Sequence, residues 1–214
     1  MLLVLFFKRF IFQKVMTIDN FEILSKILHF NENVFFVVKI IPRTTDGATN
    51  LAHIAEYPIA NPDDLWIKRD LIINLCELYN ARAYITANPI SCETYTFRVF
   101  REVIDIIETK NFKDITDVWR KCRTQKVKDK INTLWLADLD YITSEEMAKP
   151  YMDLIKSNFT TEEHDCYYIP TVRGCHLLVS PFNEEKFKGK YPKINILKAS
   201  ATILYYKKKE NNPE

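Results

Sequence analysis

From residue 133 onward the apolar residues of this chain switch repeatedly between a period of two and a period near 3.6, and that order restricts the fold more than any other feature. Residues 134–140, within "TLWLADLDYI", alternate as a strand, and residues 144–157 carry a helical spacing that begins at Ser144. Residues 165–170 read as a second strand, Gly174 as a turn and 175–180 as a third strand. A helix over 184–190 and a strand over 194–197 follow. The order is β-α-β-β-α-β, which predicts a ferredoxin-like or RRM-like module. Its four strands form one antiparallel sheet, with both helices on one face and the other face open. The apolar stretch "ATILYY" (201–206) is expected to pair at an edge of this sheet.

The first half reads differently. "NVFFVVKII" is rich in β-branched and aromatic residues and predicts a buried strand, whereas the polar, proline-containing stretch 42–64 reads as a surface excursion. "DDLWIKRDLIINLCELYN" predicts a helix with acidic residues at its start, and "ARAYITANP" a strand stopped by Pro89. "SCETYTFRVFREVIDIIETK" predicts a helix capped by Ser91, and "FKDITDVWRKCR" another. The expected class is α+β, with an N-terminal αβ module over 16–130 and the RRM-like module over 131–214. Residues 1–15, "MLLVLFFKRFIFQKV", are read as an accessory extension. Their apolar run is well short of the roughly 20 residues of a membrane span, and its basic residues Lys8 and Arg9 follow the run, unlike a signal peptide. Met16 before "TID", a plausible cap for "FEILSKILHF", is an alternative start.

Composition removes several functions. Three glycines cannot supply a Gly-rich phosphate loop of the Walker or dinucleotide type. Five cysteines without CxxC spacing suggest neither a disulfide framework nor a zinc site, and fit a reducing, cytoplasmic setting with no membrane partner. The formal charge of +2 exerts no general pull on nucleic acid, so any basic surface is local, as where Lys186, Lys188, Lys190, Lys193 and Lys198 gather.

Chemistry concentrates in two segments. Alternate residues of a strand share a face, so Asp138 and Asp140 project together while Trp135, Ala137 and Leu139 point away. Two adjacent carboxylates repel, and a hard divalent cation relieves the repulsion. An isolated Asp-x-Asp more often marks a wet strand end, and both readings stand at this point. In "YYIPTVRGCHLLVSPFN", Gly174 is expected to supply the positive φ of a tight turn, and His176, Leu178 and Ser180 share a face. The first and third strands of a β-α-β-β-α-β sheet are neighbours, which brings His176 beside the aspartates. The competing role for such a histidine is a half-buried ring bonded to a carbonyl.

"LADLD" followed by "TVRGCHLLV" resembles the motif pair of the archaeo-eukaryotic primase (primase-polymerase) superfamily, an apolar-Asp-x-Asp strand followed by a Ser/Thr-x-x-Gly-x-His strand. The resemblance covers about residues 130–206 and is that of a divergent phage or bacterial member. It implies a nucleotidyltransferase of DNA replication whose catalytic residues are Asp138, Asp140 and His176. Asp138 and Asp140 would hold Mg²⁺ or Mn²⁺, while Thr171, Arg173, His176 and Lys198 would contact the phosphates of a nucleoside triphosphate. Such enzymes use two metals to clamp the triphosphate, activate the 3′-hydroxyl of a single-stranded or primed nucleic acid and stabilise the leaving pyrophosphate. Replication proteins such as a helicase are the implied partners. One departure is plain: in "KINILKAS" the third metal position, normally acidic, carries Asn195, and Asp165, Glu184 and Glu185 are candidate substitutes.

Two further readings compete. "LADLD" is also the pattern of a HAD-like phosphatase nucleophile, but that fold needs a parallel sheet and "YYIPTVRGCHLLV" reads as a hairpin. A degenerate relative that binds nucleic acid or protein without turnover is the other, with Tyr167, Tyr168, Tyr205 and Tyr206 as stacking platforms.

Overall fold

A computed structural model describes residues 17–47, 53–124, 134–162, 164–198 and 200–208, so the extension 1–15 and the expected module boundary near 130 lie outside the described residues. The first half runs β1 (Thr17–Asp19), α1 (Phe21–Ile27), β2 (Val34–Pro42), β3 (Ala55–Ile59), α2 (Pro62–Ile67), α3 (Arg69–Tyr79), β4 (Ala81–Thr86), β5 (Ile90–Ser91), α4 (Cys92–Thr109) and α5 (Val118–Thr124). The second runs β6 (Trp135–Asp140), α6 (Glu145–Lys156), β7 (Cys166–Pro170), β8 (Gly174–Val179), α7 (Glu184–Lys190), β9 (Asn195–Leu197) and β10 (Ala201–Lys207). The protein is α+β, with two antiparallel sheets of six and four strands and seven helices among the described residues. None of these helices is long and apolar enough to cross a membrane.

The smaller sheet has the order β7-β8-β6-β9, every pair antiparallel, with β6 and β8 in the centre. Side chains from α6 and α7 cover one of its faces. Ala148, Met152 and Ile155 of α6 and Phe187 of α7 pack with Ala137, Leu139, Cys175, Leu177 and Val179. Both helices start where the sequence places a cap. Ser144 Oγ accepts from the Met147 amide at 3.2 Å, and Asn183 Oδ1 accepts from the Lys186 amide at 3.0 Å. The opposite face is not wholly open. Leu136, Ile169 and Leu178 join the larger core built on Phe36, Val38, Ile40, Ile85 and Leu204, so only one end of the face stays polar.

The larger sheet runs β1-β10-β4-β2-β3, with β5 added to β2. Strand β10, expected at an edge of the second module, instead lies inside the first sheet between β1 and β4. The reason is visible in its burial: Thr202 to Tyr206 are all buried, and a strand covered on both faces reads as a continuous apolar run. The stretch 42–64 is likewise more than an excursion, because it contains β3. Pro58 sits opposite Val37 on this edge strand, where the missing amide costs no ladder hydrogen bond. Thr17, Ile18 and Asp19 form β1 and are not the cap of α1, which Asn20 precedes. The helix expected over 63–80 breaks at Lys68 into α2 and α3, and the one expected over 112–123 begins as a 3-10 turn.

Two asparagines join the sheets. Asn20, fully buried, donates from Nδ2 to the carbonyls of Pro170 (3.0 Å) and Ile203 (2.9 Å). Asn88 accepts from the Leu134 amide at 2.6 Å and donates to the Leu134 carbonyl at 2.9 Å, fixing the start of β6.

Gly174 has no positive φ, contrary to the sequence expectation; its constraint is proximity. A Cβ built there runs into the Leu139 carbonyl oxygen and comes within 2.9 Å of the Tyr141 nitrogen, both backbone atoms that cannot step aside. Gly174→Ala is therefore expected to destabilise the protein by about 2 kcal/mol through overpacking, read as a lower urea midpoint. Gly189→Ala, in α7 with nothing within 4 Å of the added methyl, is expected to stabilise the protein by about 0.5 kcal/mol, read as a higher midpoint.

Candidate functional site

Strand β6 presents Leu136, Asp138 and Asp140 on one face. Leu136 enters the shared core, and the two aspartates stand beyond it, where the sheets diverge around a cleft of about 600 Å³. Register places Asp138 directly opposite His176 on β8 and opposite Asn195 on β9, so the three form one row across three strands on a single face. Asp140 faces Gly174, and β6 ends at once in Tyr141, whose φ of 68° turns the chain while its amide donates to the Arg173 carbonyl at 2.7 Å. The close approach that demands glycine at 174 is thus the same contact that seats the Thr171 to Arg173 turn beside the carboxylates.

The electrostatics follow from placement. Asp138 is lifted above the usual carboxylate range, first by loss of solvation and then by the like charge of Asp140. His176 has 15% of its side chain exposed, and loss of solvation lowers it to about 4 against the upward pull of Asp140. The ring is therefore neutral at pH 7. Its Nε2 lies 3.7 Å from Asp138 Oδ1, beyond hydrogen-bond distance, and its Nδ1 is 2.9 Å from Thr202 Oγ1.

The other expected site residues divide. Thr171 and Arg173 line the cleft; Thr171 Oγ1 accepts from the Gly174 amide at 3.2 Å, and Arg173 is exposed where the cleft opens. Asn195 is exposed and shares the face of Asp138, at the outer end of the row. Lys198 does not line the cleft. Its ammonium is 3.0 Å from Glu184 Oε2 and 4.5 Å from the Trp135 ring centre, drawn toward the helix-covered side where Trp135 packs. The candidate substitutes for the third acid do not line the cleft either: Asp165 accepts from the Tyr167 hydroxyl, Glu184 pairs with Lys188 and Lys198, and Glu185 lies in the first turn of α7. Among the described residues no group of three His, Cys, Asp or Glu side chains is disposed to hold a metal ion.

Three cleft residues and one buried residue behind them come from elements whose position the sequence did not disclose. Arg43, Arg82 and Tyr84 line the same cleft as the carboxylates, and Thr202, fully buried, reaches His176 from β10. Arg82 is held by a two-pronged pair with Asp46 (2.6 and 2.7 Å), and the Arg43 guanidinium stands 5.5 Å from the Tyr84 ring centre. An arginine in the otherwise apolar strand "ARAYIT" was the one available signal. The tyrosine platforms are not exposed as expected. Tyr205 and Tyr206 are buried, the Tyr167 hydroxyl donates to Asp165, and Tyr168 packs on the helix side of the small sheet.

In comparison with known proteins, the chain matches no protein-family model, no curated protein and no solved structure.

The lowered affinity of His176 for a proton makes a stability prediction. An unfolded histidine takes up a proton near 6.5 and the folded ring only near 4, so between these values the unfolded chain binds more protons and stability is lost as the pH is lowered. Relative to His176→Gln, the wild type is expected to lose about 3 kcal/mol between pH 6.5 and pH 4, with no further divergence below. Urea unfolding of both proteins across that range, without added metal, measures the difference.

Proposed function

We propose that the protein is a metal-dependent nucleotidyltransferase of the primase-polymerase type, acting on a nucleoside triphosphate and a nucleic-acid strand. The observation that carries this reading is the row of Asp138, His176 and Asn195 on one sheet face. Asp140 stands one step along, and Arg43, Arg82 and Arg173 line the same cleft. The strand order β7-β8-β6-β9, with α6 and α7 packed on one face, supports an RRM-like module as its frame. The phosphatase alternative finds no parallel strands around β6.

The donor set fits one hard divalent cation. Asp138 and Asp140 supply adjacent carboxylates whose mutual repulsion a cation would relieve, and Asn195 offers a neutral amide oxygen in the third place. When bound, Mg²⁺ or Mn²⁺ would polarise phosphoryl oxygens and lower the pKa of the attacking hydroxyl. The side chains of the chain itself do the positioning. Arg173 and Arg43 both line the cleft and suit the oxygens of a triphosphate. A cleft of about 600 Å³ lies within the range of small-ligand sites and has room for one nucleotide.

A second reading has its own support. With Asn195 in the third place and no triad among the described residues, the site is also that of a relative which binds nucleotide without extending a strand. Titration with Mn²⁺ and labelled nucleotide, alongside extension of a primed template, separates the two. Metal-coupled binding is expected in the wild type. Asp138→Asn and Asp140→Asn are each expected to weaken it by more than about 100-fold, and Arg173→Ala by about 10-fold to 100-fold. Binding without extension, with extension appearing in Asn195→Asp, assigns the second reading; nucleotide binding indifferent to metal removes the first, and the absence of nucleotide binding removes both.

A further inference from the structure

We propose that Thr202 is a positioning residue of the cleft: its hydroxyl donates to His176 Nδ1 and so holds the ring in the form that carries its proton on Nε2, facing the cleft. The argument is one of hydrogen-bond accounting. Thr202 is fully buried, and among the described residues His176 Nδ1 is the one hydrogen-bond partner of its hydroxyl, at 2.9 Å. A neutral imidazole has one proton to place. Were it on Nδ1, the hydroxyl would accept it, and the buried Thr202 proton would have no acceptor, which forfeits the full desolvation of a donor. With the proton on Nε2 the fully buried hydroxyl donates to the bare Nδ1, and the one donor left over, Nε2–H, is on the side of the ring toward Asp138 and the cleft.

The consequence reaches the ligand. An Nε2 that bears hydrogen does not coordinate a cation, so His176 is a donor and not a metal ligand, and the cation is left to Asp138 and Asp140. At 3.7 Å from Asp138 Oδ1 the N–H is not spent on that carboxylate, and it is available to an anionic oxygen bound beside it. The opposite form would aim a lone pair at Asp138 and repel such an oxygen. Thr202 lies on β10 of the large sheet and His176 on β8 of the small one, so a residue of one sheet sets the chemistry of the other.

The test is made first on the ligand-free protein, so that it does not depend on the nucleotide reading, on which only the ligand arm rests. In protein with ¹⁵N-labelled histidine, long-range ¹H–¹⁵N correlation distinguishes the two neutral forms, and His176→Gln identifies the signals of this ring among the four histidines. The wild type and Thr202→Ser are expected to show a bare Nδ1 and a protonated Nε2, and Thr202→Val a mixture of the two forms. A wild-type ring protonated on Nδ1, or a Thr202→Val ring indistinguishable from wild type, overturns the proposal. If Thr202→Val fails to fold, the wild-type and Thr202→Ser spectra decide alone. In the ligand arm, Thr202→Val is expected to weaken Mn²⁺-nucleotide binding by about tenfold while Thr202→Ser retains it, the loss of one hydrogen bond to a charged oxygen.

Discussion

The structure depends on a change of character along one face of one strand. Strand β6 alternates as any strand does, so Trp135, Ala137 and Leu139 serve the helices while Leu136, Asp138 and Asp140 face the other sheet. On that second face the first residue is apolar and the next two are charged. Leu136 ties the small sheet into the common core, and the aspartates line a cleft instead, in keeping with the cost of burying a carboxylate against an apolar wall without partners.

What keeps the sheets in that relation is a small set of polar clips around an apolar joint. Asn20 binds backbone groups of both sheets, Asn88, which follows β4 of the large sheet, binds Leu134 at the start of β6, and Thr202 bonds to His176 across the joint. Apolar contact alone is tolerant of sliding, whereas buried hydrogen bonds have definite geometry and leave costly orphans when displaced. The Leu136, Ile169 and Leu178 contacts supply the attraction, and the asparagines supply the alignment.

The chemistry of the small sheet was legible because it is local. Period-two alternation places Asp138 and Asp140 together, and the order of elements makes β6 and β8 neighbours, which is enough to bring His176 alongside. The misplacement of Lys198 has the same origin. Leu197 faces the cleft, so its successor must face away, and the charge that looked useful was captured by Glu184 and Trp135. Arg43, Arg82 and Thr202 were out of reach for a different reason. Their role depends on how one sheet docks on another, and no local period encodes that. Strand β10 shows the limit most clearly, since a run such as "ATILYY" is equally compatible with an edge and with the middle of a sheet, and only its partners distinguish them.

The insertion of β10 between β1 and β4 also bears on how the molecule assembles. Thr17 pairs with Lys207 and Ile85 with Thr202, contacts that close loops of well over a hundred residues, and such closures are entropically slow to form. Until residues 201–207 have joined, β4 lacks its neighbour on one side and β1 has nothing to pair with, so a growing chain carries an unpaired strand edge from the synthesis of β4 until that of β10. The cleft does not exist in that interval either, since Ala201, Ile203 and the hydroxyl that meets His176 arrive with the same strand. Completion of the sheet and completion of the site are a single event, which means that a chain without β10 in place has no complete cleft in which to engage a ligand.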